Sequence, residues 1–389
     1  MRQRDYCSCR KVKKILFATI EAGSGHTMPA VAVHESLQEL FPGKYDLRIM
    51  DFMREVGCTE LDALHKSVWR YLLAHPRLTK SIQALDIITG PLTMWMYRQI
   101  GGSFVEKVVQ YLRKEEPDLI FCTHYFNSRA VAIARRISGT KTLLVNCLTE
   151  LFDFNRYWYQ GLRDVDYYIV TSEAALGKLL RKRYPSQKIR LFPYPIRNSF
   201  FRIRRKKEEI ALPLGLEPDR KNLLVSMGGE GIGPVERMLS ALAQSRLDLN
   251  VLVVCGRNME LCKQLASRYA SCRQPRIVPL GLINNIQELI FLADFCFIKP
   301  GPATTWEAVS FHKPLILPKS AHLLENENIA FIRSRGLGLY IGNSPRKLVQ
   351  AIRMMMDSQV LQGFCANYDK LEIDNGADAI ALFLDRLLR

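Results

Sequence analysis

Lys14-Ile15-Leu16-Phe17-Ala18-Thr19-Ile20-Glu21-Ala22-Gly23-Ser24-Gly25-His26-Thr27-Met28-Pro29 is the stretch on which the fold reading turns. An apolar run of strand length enters a glycine-rich turn, and a helix-period segment, Pro29–Leu40, follows. The run does not alternate with polar residues, which marks a strand buried on both faces of a parallel sheet. Pro29 suits the first turn of a helix, where its missing N–H would be unpaired anyway. Strand, turn and helix in that order open a doubly wound α/β unit.

The pattern recurs outward from there. Apolar runs stand at Asp46–Met50, Asp118–Cys122, Lys141–Cys147 and Tyr167–Val170. They resume at Asn222–Ser226, Asn250–Cys255, Arg276–Pro279, Phe295–Ile298 and Pro314–Leu317. A Pro- and charge-rich stretch between Phe192 and Lys221 separates the two series, and each series opens on a strand followed by glycines. The expectation is an α/β protein of two Rossmann-like domains, residues 1–195 and 196–370. Residues 371–389 should form an amphipathic helix (Ala377–Leu388) that packs back on the first domain.

The 389 residues are 48% hydrophobic and 24% charged, enough for two ordinary cores. A mean hydropathy of −0.05 excludes a disordered chain and an integral membrane protein. No apolar run nears the roughly 20 residues that span a bilayer. Ile15–Ile20 is too short for a signal sequence, so a soluble, cytoplasmic protein is expected. The ten cysteines are scattered without zinc spacing, which points to a reducing compartment and no structural metal. Lys and Arg number 55 against 38 Asp and Glu, a net charge of +17. That excess favours an anionic partner: a phosphorylated molecule, an acidic membrane or nucleic acid.

Three turns carry chemistry. Backbone N–H groups around Gly23 and Gly25 suit an anionic or electron-rich ligand, and the strand–turn–helix delivers His26 to the crevice above the sheet. Ser226-Met-Gly228-Gly229-Glu230-Gly231-Ile-Gly233-Pro234 reads as a phosphate turn before a helix. In Lys299-Pro-Gly301-Pro302-Ala303-Thr304-Thr305-Trp306-Glu307, the threonines are expected to cap a helix, with Glu307 in its first turn. A carboxylate there is either a dipole partner or a ribose acceptor. No Gly-Lys-Ser/Thr follows either glycine turn, so neither is a Walker A loop. The dinucleotide fingerprint fits the first turn in part: Met28 replaces the third glycine, while Asp51 ends the next strand as a ribose acid would.

Taken in order, Gly23-Ser-Gly25-His26-Thr-Met-Pro29-Ala, Tyr194-Pro195-Ile196-Arg197, Met227-Gly228-Gly229-Glu230-Gly231, Val254-Cys-Gly256-Arg257-Asn258 and Lys299–Ala308 resemble glycosyltransferase family 28. Within it, the chain looks like the monogalactosyldiacylglycerol synthases and bacterial processive diacylglycerol glucosyltransferases. The resemblance implies a GT-B fold and an inverting, metal-independent transfer from a UDP-sugar, with no cofactor. It implies a donor site of Arg197, Gly228, Gly229, Glu230, Arg257, Gly301, Pro302, Ala303 and Thr304. Leu282 and Ile283 would meet uracil, Glu307 ribose, and Glu325 and Asn328 the sugar. Leu324 and Glu327 stand where the lipid synthases have Gln and Gly, which leaves glucose and galactose both open. His26 matches the motif histidine, and Glu21 an acidic residue proposed as base or base partner, so either stands as the immediate base, with His26 the first choice. Gly25 and His124 join the acceptor side.

Such chemistry asks for these residue types on its own terms. Charge separates between an oxocarbenium-like sugar and the departing diphosphate. Amides, a helix N-terminus and an Arg stabilise the leaving group, and a His–carboxylate pair takes the acceptor's proton.

Between Lys66 and Lys114, eight basic residues stand against two acidic ones, a local charge of +6. Trp69, Arg70, Trp95 and Arg98 lie among Leu, Ile and Met, with Phe104 and Tyr111 further on. The segment reads either as a face for an anionic bilayer or as an ordinary amphipathic helix pair. No nucleic-acid motif appears; the resemblance implies UDP-hexose and a lipid acceptor, and the basic aromatic segment the inner membrane face, as the expected partners. Asp164-Val-Asp166 precedes a strand and reads as punctuation. Three rivals stand: a sugar-nucleotide enzyme with another acceptor or an epimerase, an NAD(P)-dependent oxidoreductase, and an inactive nucleotide binder.

Overall fold

The computed structural model describes residues 12–21, 23, 25–75, 77–82, 102–159, 164–229, 235–320 and 322–389. The first sheet comprises β1 (Lys13–Thr19), β2 (Tyr45–Asp51), β3 (Leu119–Cys122), β4 (Leu143–Cys147), β5 (Tyr167–Val170) and β6 (Ile189–Leu191), in the order β2-β1-β3-β4-β5-β6. The second comprises β7 (Lys221–Ser226), β8 (Leu249–Val254), β9 (Arg276–Leu280), β10 (Phe295–Ile298), β11 (Leu315–Leu317) and β12 (Gly338–Tyr340), in the order β12-β11-β10-β7-β8-β9. Every pairing is parallel. Ten strands fall where the apolar runs placed them. The other two, β6 and β12, are three-residue edge strands too short to show a period.

Strand order decides where a ligand can bind. In the first sheet the chain turns back between β1 and β3, and in the second between β7 and β10. Crevices open beyond the carboxyl ends of strands at such reversals. The Gly23–His26 turn and Thr123–His124 therefore share one crevice, and Ser226–Gly229 and Lys299–Gly301 share the other.

The helix Gly102–Glu115 corrects part of the membrane expectation. Phe104 is buried and stacks on Phe126 at 5.4 Å, and Tyr111 meets Phe52 edge-on. These aromatics are core of the first half, not surface. Trp95 and Arg98 lie outside the described residues.

The last helix, Gly376–Leu387, packs on the first sheet. Ile380, Ala381 and Leu384 join Ile15, Phe17, Val33 and Leu37 in one buried cluster. Its start fits tightly: a Cβ on Gly376 would lie 1.8 Å from the Pro193 carbonyl oxygen. Near its other end the fully buried Asp385 accepts hydrogen bonds from Lys44, from the Tyr45 hydroxyl at 2.6 Å and from Arg389 at 2.8 Å.

Burial works to raise the pKa of Asp385, yet these three donors hold it at about 2. Against an ordinary value of about 3.9, that stabilisation is complete above roughly pH 4 and is lost as pH falls towards 2. Asp385→Ala is expected to lower the unfolding free energy at pH 7 by about 1–3 kcal/mol. In urea titrations the gap to the wild type should shrink across that acid window.

Candidate functional site

The first crevice is built around His26. It directly precedes the helix Thr27–Leu40, whose Pro29, Ala30 and Val33 are buried, so its ring is held at the rim of the sheet. Its Nδ1 lies 3.0 Å from the Thr123 carbonyl oxygen and 2.9 Å from Thr149 Oγ1. A carbonyl only accepts, which assigns the proton to Nδ1 and leaves Nε2 as the basic nitrogen. Burial lowers the pKa to about 4, with His65, His322 and Lys299 adding to the effect against the pull of the Thr123 bond. The imidazole is therefore neutral at pH 7.

Its neighbours form an aromatic box. The His124 ring lies edge-on at 4.8 Å, Trp158 at 6.0 Å, and His65 sits 5.9 Å from His124. His124 accepts the Phe126 N–H at its own Nδ1, capping the next helix, and burial keeps it neutral as well. Gly25 borders open space. Glu21 does not pair with His26 in this arrangement: it is exposed, and its charge acts on Asp51. The partners of His26 Nδ1 are a carbonyl and a hydroxyl instead of the carboxylate expected.

The second crevice is lined by backbone. Gly228 has φ +85°, and Gly229 accepts the Arg257 N–H at 2.9 Å. A Cβ on Gly256 would lie 2.3 Å from the Gly229 oxygen, so only glycine allows these loops to touch. Glu230 lies outside the described residues. The helix Pro302–Val309 starts at Gly301, with Pro302 in its first turn and no side-chain cap from Thr304 or Thr305. Glu307 falls in its second turn, buried, where it is not a first-turn dipole partner. Burial pushes its pKa up to about 8, against the pull of Arg197. Ala303 is buried beneath the helix start, Ile283 is half-buried, and Leu282 is exposed at the rim.

Polar side chains lock this crevice. Asn328 Nδ2 donates to the Pro300 carbonyl at 2.8 Å, pinning the turn before the helix. Glu325 is buried and pairs with Lys299 Nζ at 2.9 Å, with Ser320 Oγ also donating to it. Burial would raise its pKa, yet Lys299 and Ser320 together hold it below the ordinary range. Arg197 reaches the other way, forming a two-pronged pair with Glu35 of the first half at 2.8–3.1 Å. It would meet a diphosphate only by leaving that carboxylate.

The two crevices face each other. Lys299 and His322 of the second half lie near enough to His26 to shift it, and Trp69 of the helix Thr59–Ala74 comes within 5.9 Å of His322. Trp69 thus points into the cleft, while Arg70 beside it is exposed. Sequence reading missed His65, Thr149, Lys299 and Glu150. Burial and the nearby Glu325 push Glu150 up to about 8, against the pull of Lys299. Its only signal was a polar pair, Thr149-Glu150, just after the β4 run.

Asp51 does not serve as a ribose acid. Lys66 pairs with it and, at 2.7 Å, with Asp62. Asp166 is held by Arg135 and the Leu144 N–H, and Asp164 lies 3.5 Å from Arg136, so this pair braces the sheet.

The family model for monogalactosyldiacylglycerol (MGDG) synthase matches residues 26–196. The chain is 27% identical over 351 residues to the chloroplastic monogalactosyldiacylglycerol synthase of Spinacia oleracea, covering 87% of this chain and 65% of that protein. It is 26% identical over 374 residues to the processive diacylglycerol beta-glucosyltransferase of Bacillus licheniformis, covering 95% and 93%. MurG of Acinetobacter baumannii shares the fold at 15% identity, with a TM-score of 0.57 over 96% of this chain and 99% of that one. The fold is GT-B, and the resemblance to the diacylglycerol-glycosylating branch of glycosyltransferase family 28 holds over most of the chain. The chain spans a little under two thirds of the length of the plant synthase it matches.

A buried carboxyl with a raised pKa keeps a proton that the unfolded chain would release. Glu307 therefore favours folding least at high pH, its stabilisation fading between about pH 4.5 and 8. Glu307→Gln should melt above the wild type at pH 8, and the gap should close as pH falls to 5.

Proposed function

We propose that this chain is an inverting glycosyltransferase that moves a hexose from a UDP-sugar to the hydroxyl of a membrane lipid, diacylglycerol. One observation carries the reading: a neutral histidine, its proton held on Nδ1 by the Thr123 carbonyl, faces, across a cleft, a glycine turn and a helix start that suit a diphosphate. The first domain (1–195) takes the acceptor, the second (196–370) the donor, and residues 371–389 brace the first. The family resemblance supports the same assignment.

In the reaction, the lipid oxygen attacks the anomeric carbon, and its proton passes to His26 Nε2. The bond from that carbon to the β-phosphate oxygen breaks, and its electron pair leaves with UDP. The growing charge meets the amides around Gly228 and Gly229, the N-terminus of the Pro302–Val309 helix, and Arg257. Glu307 takes the ribose diol, Ile283 and Leu282 the base, and Glu325 and Asn328 the sugar hydroxyls.

Among the described residues no helix is long and apolar enough to cross a membrane. The helix Thr59–Ala74 and the helical residues 77–82 beyond it instead expose Leu64, Val68, Tyr71, Leu78 and Ile82, flanked by exposed Arg70 and Arg77. An apolar row beside cations fits the surface of an anionic bilayer. We assign it to the cytosolic leaflet, which the unpaired thiols suit.

The test is release of UDP from UDP-glucose or UDP-galactose on vesicles with and without diacylglycerol; no acceptor-dependent release would refute the reading. His26→Ala is expected to lower turnover by roughly 10²–10⁴-fold, with UDP affinity unchanged by calorimetry. Sedimentation with phosphatidylglycerol vesicles should weaken as salt rises, because screening removes the attraction.

A further inference from the structure

The helix Thr59–Ala74 presents three different faces. Asp62 and Lys66 tie it to Asp51 at the end of β2. Leu64, Val68 and Tyr71 stand in the open, 59%, 48% and 56% exposed. His65 and Trp69 lie roughly 110° around the helix from that apolar row, given about 100° per residue. Trp69 meets His322 of the second half, and His65 meets His124, itself against His26. A molecule resting on the apolar row would therefore pass His65 on its way to His26.

His65 is also unfinished. Its Nδ1 is buried and has no hydrogen-bond partner among the described residues, though Asp62 and Lys66 are close by. Buried polar atoms in native proteins are satisfied, by protein, water or ligand. Resting on the function proposed above, we infer that His65 is an acceptor-binding residue: its Nδ1 hydrogen-bonds the glycerol hydroxyl region of the lipid. The acyl chains then remain against Leu64, Val68 and Tyr71 at the bilayer. A single helix thus reads the membrane on one side and delivers the head group to the base on another.

Initial rates on phosphatidylglycerol vesicles carrying graded diacylglycerol test this, using the full chain, the wild type, His65→Ala and His65→Asn. In His65→Ala the KM for diacylglycerol should rise about tenfold, the size of one neutral hydrogen bond. UDP affinity should be unchanged, and the slow hydrolysis of UDP-sugar without acceptor should fall far less than transfer does. His65→Asn, whose amide reaches the position of Nδ1, should recover most of the loss. An unchanged KM would overturn the inference and mean that water satisfies the atom. Equal loss of hydrolysis and transfer would also overturn it, revealing a structural role. If the wild type itself transfers nothing to diacylglycerol, the proposed function fails and takes this inference with it. An active wild type with an unaffected His65→Ala sinks the inference alone.

Discussion

Where the chain crosses between its halves, one polar knot sets the geometry of the cleft. Asn198, on the outward crossing, accepts from Asn375 Nδ2 at 2.8 Å on the return crossing, while Asn375 Oδ1 receives the Ile196 N–H at 3.0 Å. Asn198 Nδ2 reaches Glu39 and Asp378. Next to it Arg197 grips Glu35 on the helix that His26 begins. The position of the base relative to the donor turn is thus fixed through hydrogen bonds between two linker segments and the helices Thr27–Leu40 and Gly376–Leu387. Half-buried amides and ion pairs in such a place are directional, so they define an angle better than apolar packing would. If Arg197 moves to a diphosphate, it gives up a contact of this knot, which links donor occupancy to the setting of the two halves.

Within the cleft, desolvation outweighs every other electrostatic effect. Histidines 26, 124 and 322 are driven to the neutral form, and Glu150 and Glu307 towards their protonated forms. Glu325 alone among these keeps its charge favoured, because Lys299 and Ser320 answer it directly. A region with so little fixed charge suits a reaction that creates charge, since dipoles and a few cations act there with little competition from water.

Sequence patterns revealed the architecture because buried parallel strands must be apolar throughout, and glycines must stand where loops approach each other. That logic found ten strands, both crevices and His26. It failed where the information is tertiary. Glu307 was placed one turn too early, since no local signal separates Gly301 from Thr304 as the helix cap. The aromatics Phe104 and Tyr111 read as interfacial, yet their partners Phe52 and Phe126 come from other elements. The alliance of Arg197 with Glu35 spans 162 positions of sequence, and no pattern reading reaches that far. The resemblance made Glu21 a companion for His26, but Glu21 is exposed, and the carbonyl and hydroxyl that hold His26 come from Thr123 and Thr149.

The terminal helix carries a lesson for how the protein is made. Its residues complete the hydrophobic interior of the first half, filling the space beside Phe17 and Leu37, although they are encoded after the entire second half. A nascent chain emerging from the ribosome therefore holds an open first half until residues beyond Gly376 arrive. Any fragment cut at the linker would present that same raw apolar surface, so the halves are not separable modules despite having a sheet each.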